Sequence, residues 1–339
     1  MGWKGLIRWI GSAAAAGFTA TALAALPAAG EAALERLEPQ ALLARIYDAV
    51  AKGSYTGTLV STAGGAVHSL RIVHFAEGAQ QFERVEMLDG QARVVYRHND
   101  VVHTLWPAQR VAVVEYRDRE NALPSLLRAR PDPRLFELYE LKADGIDRVA
   151  GHEAAVFVLR PRDDARFAQR LWAERRSALL LRTDVLAPDG RVLESAAFSD
   201  VTIGVRPQPE SVLRPMKKLD GYRVLTPQLA RTLLEAEGWK LAPVAGFREV
   251  SCVRRSVGDG ADEAVAGHEP VLQAVFSDGL THVSVFIEPY REGRHRPGKT
   301  AIGATHTLMK RHDQWWITVM GDVPMATVVR FAEALERRW

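Results

Sequence analysis

From Tyr55 to Tyr116 the chain is punctuated about every ten residues, by AGG at 63–65, AEG at 76–78, LDG at 88–90, HND at 98–100 and PAQ at 107–109. Runs this short, rich in Val, Tyr, Phe and Thr, leave room for strands but not for long helices. The consequence is an antiparallel meander joined by tight turns. Strand alternation puts His68, Leu70, Ile72 and His74 on one face of the second strand and Val67, Arg71 and Val73 on the other. Neither face is cleanly polar, so both sides of this sheet are expected to be covered.

Other patterns flank the meander. "PQALLARIYDAVAKG" places Leu42, Leu43, Ile46 and Val50 at helical spacing and ends at Gly53. "LPSLLRARPDPRLFELYEL" breaks the strand rhythm with prolines and apolar residues at helical spacing, as a lid or plug over a concave sheet would. Strands resume at "GIDRVAGHEAAVFVLRP", "RFAQRLWA", "SALLLRTDVLA" and "GRVLESAAFSDVTIG", with Asp189-Gly190 as a two-residue hairpin turn.

Residues 206–220, rich in proline and charge, read as a linker between a first domain at 31–205 and a second at 221–339. The second domain is predicted to open with a helix over "TPQLARTLLEAEG", capped by Thr226 with Pro227 at its first position. Strands follow, and a last helix starts near Met325, so this domain is smaller and mixed α+β.

The chain has 339 residues, about two domains' worth, and its first thirty read as a leader. Lys4 and Arg8 precede an Ala-rich apolar run ending in Ala28, Ala29 and Gly30, the layout of a signal peptide cleaved before Glu31. The rival reading is an uncleaved anchor, because Ile10 to Ala29 approaches the ~20 residues that span a bilayer. No later segment does so, which predicts a soluble, exported protein. Two of the charges behind the formal net +3 lie in the leader, which argues against a nucleic-acid binder. Cys252 is the only cysteine, so no internal disulfide and no CxxC site can form.

Short catalytic signatures are missing: there is no GxSxG elbow, no Gly-rich phosphate loop and no HExxH. His68 with His74, His98 with His103, and His306 with His312 are the remaining candidates for chemistry, yet no spacing repeats a metal pattern. They read better as strand and turn residues, so neither a cofactor nor a metal is expected, and the protein is not read as an enzyme. Cys252 alternates with Val250 and Arg254 in a strand and reads as a buried structural thiol. The loop "YREGRHRPGK" gathers Arg291, Arg294, His295, Arg296 and Lys299, either a solvated connection or a surface for acidic or phosphate-bearing partners.

Several passages together resemble the MucB/RseB family, periplasmic regulators of the sigma-E envelope stress response. They are "SYTGTLV" after the first helix, "HSLRIVHF", "ERVEMLDG", "LLLRTDVLAPDGRVLESAAFSDVTIG", and "HVSVFIEP" followed by "GATHTLMKRHDQWWITVMGDVP". The resemblance runs in order along the chain from residue 31. It implies an α+β protein: an N-terminal incompletely closed antiparallel β-barrel with helices, similar to the lipoprotein carriers LolA and LolB, plus a smaller C-terminal α+β domain. It also implies binding of the periplasmic domain of an RseA/MucA-like anti-sigma factor, shielding from site-1 proteolysis, and release by a lipoprotein, fatty-acyl or lipopolysaccharide ligand. A lipoprotein or lipid carrier is the alternative, and self-association stays open. One departure lies at "LWAERRSALLLRT", where Glu174, Arg175 and Arg176 replace the Asp- and Gly-containing turn usual in the family.

Two sets of candidate site residues follow. Leu59, Leu70, Ile72, Tyr96 and Trp106 either close a hydrophobic core or wall an acyl-chain pocket. Phe286, Arg291, Arg294, Arg296, Trp316 and Asp322 are the candidates for contacting a partner. In "QWWITVMGDVP" the period of two puts Trp315 with Ile317 and Val319, predicting a buried Trp315 and a Trp316 turned to the surface or a domain interface. Asp322 is expected to cap the last helix.

Overall fold

The computed structural model describes residues 34–116, 132–256 and 271–338. The leader expected at 1–30, and residues 123–131 of the expected lid, lie outside the described residues.

Helix α1 spans Pro39–Lys52, with proline in its first turn and Gly53 closing it through a bond to the Ala49 carbonyl. Its buried stripe is Leu42, Leu43, Ile46 and Val50, as the 3.6 spacing requires. The meander then follows as β1 (Tyr55–Ala63), β2 (Ala66–Glu77), β3 (Gln80–Met87), β4 (Val94–His98), β5 (Val101–Trp106) and β6 (Val111–Tyr116). A single turn, α2 (Leu135–Leu138), leads into β7 (Tyr139–Val149), β8 (His152–Pro161), β9 (Ala168–Glu174), β10 (Leu180–Leu186) and β11 (Val192–Ile203). Within 206–220, read above as a linker, lies helix α3 (Glu210–Lys217), and β12 (Arg223–Leu225) comes after it.

These twelve strands form one sheet in the order β12-β6-β5-β4-β3-β2-β1-β11-β10-β9-β8-β7. All neighbours are antiparallel except β12 and β6. Its terminal strands β12 and β7 do not pair with each other, so the barrel is not closed. Helix α1 packs on the face carrying Leu59 and Ile72. Helix α3 packs on β3 and β4 over Phe75, Phe82 and Tyr96, with Val212 fully buried. Both faces are covered here, which is why the strands show no clean polar alternation.

The departure at Glu174 resolves in the β9–β10 turn. One carboxylate oxygen accepts from the Ser177 amide and hydroxyl, both at 2.6 Å, and from the Arg176 amide at 3.1 Å. A buried acceptor thus organises the turn, with Ala178 in the left-handed region at φ 63°.

A second sheet has the order β13-β15-β16-β17-β20-β19-β18. Its strands are β13 (Gln228–Arg231), β15 (Arg248–Ser256), β16 (Val271–Ser277), β17 (His282–Pro289), β18 (Gly298–Ile302), β19 (Thr305–His312) and β20 (Trp315–Gly321). Helix α4 (Met325–Ala334) covers one face through Val328, Phe331 and Ala332. Beside it, β14 (Trp239–Leu241) pairs with β21 (Leu335–Arg337).

Three expectations need correction. The helix predicted over residues 226–238 is instead β13 followed by a 3-10 turn at Glu235–Glu237, ended by Gly238 at φ 78°. Pairing with β15 outweighs helix propensity there, and Leu229 and Leu233 are exposed rather than aligned on a buried stripe. Asp322 does not cap α4: its Oδ1 accepts from Thr305 Oγ1, and Pro324 occupies the cap position. Trp316, expected at the surface or a domain interface, is only 4% exposed and lies under His295 of its own sheet's loop.

The parity of β20 is nevertheless the one read from sequence. Ile317 and Val319 are fully buried under α4, and Trp315 shares their side, edge-on to Trp239 at 5.8 Å. Trp316 points the other way and is covered there by a loop.

Candidate functional site

That loop is the basic connection between β17 and β18. Its Arg291, Arg294 and Arg296 are exposed, as is Lys299 at the start of β18, while His295 turns inward and stacks on the Trp316 ring at 4.8 Å and 8°. The Arg291 amide donates to His295 Nδ1 at 3.0 Å, closing the turn. Burial, opposed by the Glu288 carboxylate, holds the His295 imidazole below its ordinary pKa. Tyr290 completes the aromatic group, 6.1 Å from Trp316 and under the guanidinium of Arg311 at 4.2 Å. The tryptophan is therefore the floor that holds a loop of arginines at the surface.

Phe286 lies on the same face, half-buried, opposite Thr318 of β20. Asp322 lies at the far end of β20, tied to Thr305 and, through its carbonyl, to the Thr281 hydroxyl. The structure thus brings Phe286, Trp316, Arg291, Arg294 and Arg296 to one face and leaves Asp322 apart from them.

In the first sheet, Leu59 pairs with Leu70, and Ile72 lies two residues on along the same face. All three pack into the core beneath α1, with Leu59 and Ile72 buried. Trp106 shares their parity across β3, β4 and β5, half-buried at the end of β5. Tyr96 faces the opposite side, against α3, because its partners across the ladder are Arg84 and Val73. It cannot wall a cavity with the other four.

The histidines are dispersed. His74 is buried, with Nδ1 2.8 Å from the Gly53 carbonyl and its ring stacked on Tyr55 at 5.0 Å. Desolvation lowers its pKa to about 4, so it is neutral in the folded protein. His98 stacks on Phe82, and His306 Nδ1 lies 2.6 Å from the Val323 carbonyl. Among the described residues no three His, Cys, Asp or Glu side chains are grouped to hold a metal. Cys252 is buried, and desolvation pushes its thiol up to about 12.

The joint between the two sheets was not apparent from sequence. Arg166, on the β8–β9 connection, donates from Nε to Asp278 Oδ2 at 2.7 Å, from Nη2 to the Ala245 carbonyl at 2.9 Å, and from Nη1 to Asp163. Its guanidinium also lies 4.7 Å over the Phe247 ring. Tyr139 donates its hydroxyl to the same Asp278 oxygen at 2.8 Å, and burial followed by the Asp278 charge pushes that phenol well above its ordinary pKa. Asp278 Oδ1 accepts from the Leu280 and Thr281 amides, so every partner is satisfied. The Thr327 hydroxyl at the start of α4 donates to the Ala165 carbonyl, and Arg330 pairs with Asp164.

An incompletely closed antiparallel barrel around helices, locked to a smaller sheet-and-helix unit, defines a two-part α+β protein. The profile of the MucB/RseB N-terminal domain matches residues 38–216 and that of the MucB/RseB C-terminal domain matches residues 234–336; the chain belongs to the MucB/RseB family. It is 28% identical over 302 residues to the sigma factor AlgU regulatory protein MucB of Pseudomonas aeruginosa, covering 86% of this chain and 88% of that protein. It is 25% identical to the sigma-E factor regulatory protein RseB of Escherichia coli K12 over 303 residues, covering 87% and 90%. The fold is shared with P. aeruginosa MucB in the solved MucA/MucB complex, with a TM-score of 0.64 at 24% identity, covering 88% of this chain and 99% of that one.

Proposed function

We propose that this protein works in the periplasm as a regulator that binds the periplasmic segment of an RseA/MucA-like anti-sigma factor, shields it from site-1 proteolysis and so restrains the sigma-E envelope stress response. The observation that carries the reading is membership of the MucB/RseB family in both halves of the chain, whose curated relatives are named sigma-factor regulatory proteins. A MucB of the same fold has been solved in complex with MucA(peri), which supports an anti-sigma factor as the partner class.

In this reading the division of labour follows residues 31–205 as the lipid-sensing part and 221–339 as the partner-binding part. Exposed Arg291, Arg294 and Arg296, with Phe286 on the same face, offer charge and apolar area to an acidic peptide. A lipid-bearing signal that binds the barrel weakens this grip, which requires different affinities for two states.

The test titrates the purified protein against the periplasmic fragment of its cognate anti-sigma factor, then exposes the mixture to the site-1 protease with and without an acylated lipoprotein fragment. Saturable binding, protection from cleavage and loss of protection with the acylated fragment are the expected results. A cleavage rate unchanged by the protein overturns the reading, and transfer of the acylated fragment between membranes would favour a carrier.

A further inference from the structure

Away from the arginine loop, the α4 side of the second sheet holds a cavity of about 300 Å³. Its floor is three aromatic rings: Phe331 lies 5.3 Å from Phe247 and 5.4 Å from Phe276. Leu234, Leu241 and Val244 close its sides. All three phenylalanines belong to the buried core, so the floor is fixed before any ligand arrives.

The rim is different in kind. Two carboxylates, Glu235 from the 3-10 turn and Glu249 from β15, stand in the lining of an otherwise apolar cavity. Partial burial and then the charge of Glu235 raise the Glu249 carboxyl above its ordinary pKa, so the two acids repel each other. The nearest cation to Glu235 is the exposed Arg338 at 3.8 Å, a solvent-screened pair. Arg166 lies behind Phe247, and its charge is already met by Asp278 and Asp163.

We propose that this cavity binds a small amphiphilic amine, an aromatic or short alkyl group bearing a protonated nitrogen, with the apolar part on the phenylalanine floor and the ammonium between Glu235 and Glu249. Size agrees, because an apolar cavity of about 150 Å³ already takes up benzene, and twice that volume leaves room for a short arm. Charge agrees too, since a cation at the rim relieves the repulsion between the acids. A fatty acid fits neither the length nor the sign.

Calorimetric titration of the full protein with phenethylamine, phenethyl alcohol and phenylpropionate tests the site. Phenethylamine is expected to bind with a Kd of roughly 0.1–10 mM, about tenfold more tightly than the alcohol, and the carboxylate is expected not to bind. Glu235→Gln and Glu249→Gln should each weaken the amine by roughly three- to fivefold and leave the alcohol unchanged. Both glutamates are exposed, so these variants keep the fold. Val244→Phe, which fills the cavity from its side, should remove binding of both amine and alcohol. Equal affinity for amine and alcohol, no saturable binding of the amine, or glutamine variants that bind like the parent would each overturn the proposal.

Discussion

Arg166 and Asp278 form a 2.7 Å ion pair with both side chains wholly removed from solvent, and the pair joins the β8–β9 connection of the first sheet to the β16–β17 turn of the second. Coulomb attraction alone does not make such a pair stabilising, because both charges lose their hydration. Satisfaction of the remaining donors and acceptors by Ala245, Tyr139, Leu280 and Thr281 is what makes it tolerable. Removing one partner leaves the other buried and uncompensated. Arg166→Ala or Asp278→Ala should therefore each cost about 3–5 kcal/mol in urea unfolding. The double variant should cost clearly less than the sum, and additive losses would show that the charges do not depend on each other.

Gly246 offers an independent probe of the same joint. It adopts φ 79°, and a Cβ there would run into Nη2 of Arg166 and the Leu138 side chain. Gly246→Ala should destabilise the protein by roughly 1–3 kcal/mol, from positive-φ strain together with displacement of the guanidinium. If the loss persists unchanged in an Arg166→Ala background, the contact with the guanidinium contributes nothing.

His74 gives a pH dependence with a definite sign. Its pKa falls from 6.5 to about 4 on folding, so between these values the unfolded chain binds a proton that the folded chain refuses. Stability from this group is complete above about pH 6.5 and declines on acidification towards pH 4, by roughly 1–3 kcal/mol. Urea midpoints compared across that range should fall less steeply in His74→Phe, which keeps the stack on Tyr55 but cannot titrate. Parallel curves for parent and variant would refute the assignment.

Much of the first sheet was legible because its signals are local. Turn residues at ten-residue intervals and a 3.6-spaced apolar stripe specify the meander and α1 without reference to distant residues. The parity of Trp315 and Trp316 was legible for the same reason. What covers Trp316 was not, because period-two reasoning says which side a residue faces and nothing about a loop folding over that side. The stretch after Thr226 misled because its helical propensity is local, whereas the strand it forms answers to β15 some twenty residues later. The Arg166–Asp278 joint was the least legible of all: the residues lie 112 positions apart, and neither stands in a motif.

Glu174 organises the β9–β10 turn with its own carboxylate, and its substitution should show it. Against the cost of burial, hydrogen bonds from Ser177 and Arg176 keep this carboxyl below its ordinary pKa. Glu174→Ala leaves the part-buried amide bonds of Arg176 and Ser177 without their acceptor and should cost about 1–2 kcal/mol, whereas Glu174→Gln, which keeps one acceptor oxygen, should lose less. Because the folded pKa is depressed, the contribution is present above the unfolded value and fades as pH falls through the folded one. An alanine variant as stable as the parent at neutral pH would mean the turn is held by its backbone alone.

The arginine loop separates a surface role from a supporting one. Arg291, Arg294 and Arg296 are exposed and make no packing contribution to the core, whereas His295 and Trp316 hold the loop down from beneath. Reversing the three arginines to glutamate should leave the thermal midpoint within a degree or two, since surface changes of this kind shift stability by only about 0.5 kcal/mol each. The same variant should bind the anti-sigma segment at least about tenfold more weakly, with a flatter dependence on salt, because the lost contribution is electrostatic and acts at the rim. Trp316→Ala should differ in its effect on stability: it removes a buried aromatic floor, costs about 3–5 kcal/mol, and weakens binding only through disorder of the loop. Binding that survives the triple reversal at low and high salt would place the partner's contact elsewhere on the second sheet, with Phe286→Ala as the next substitution to measure.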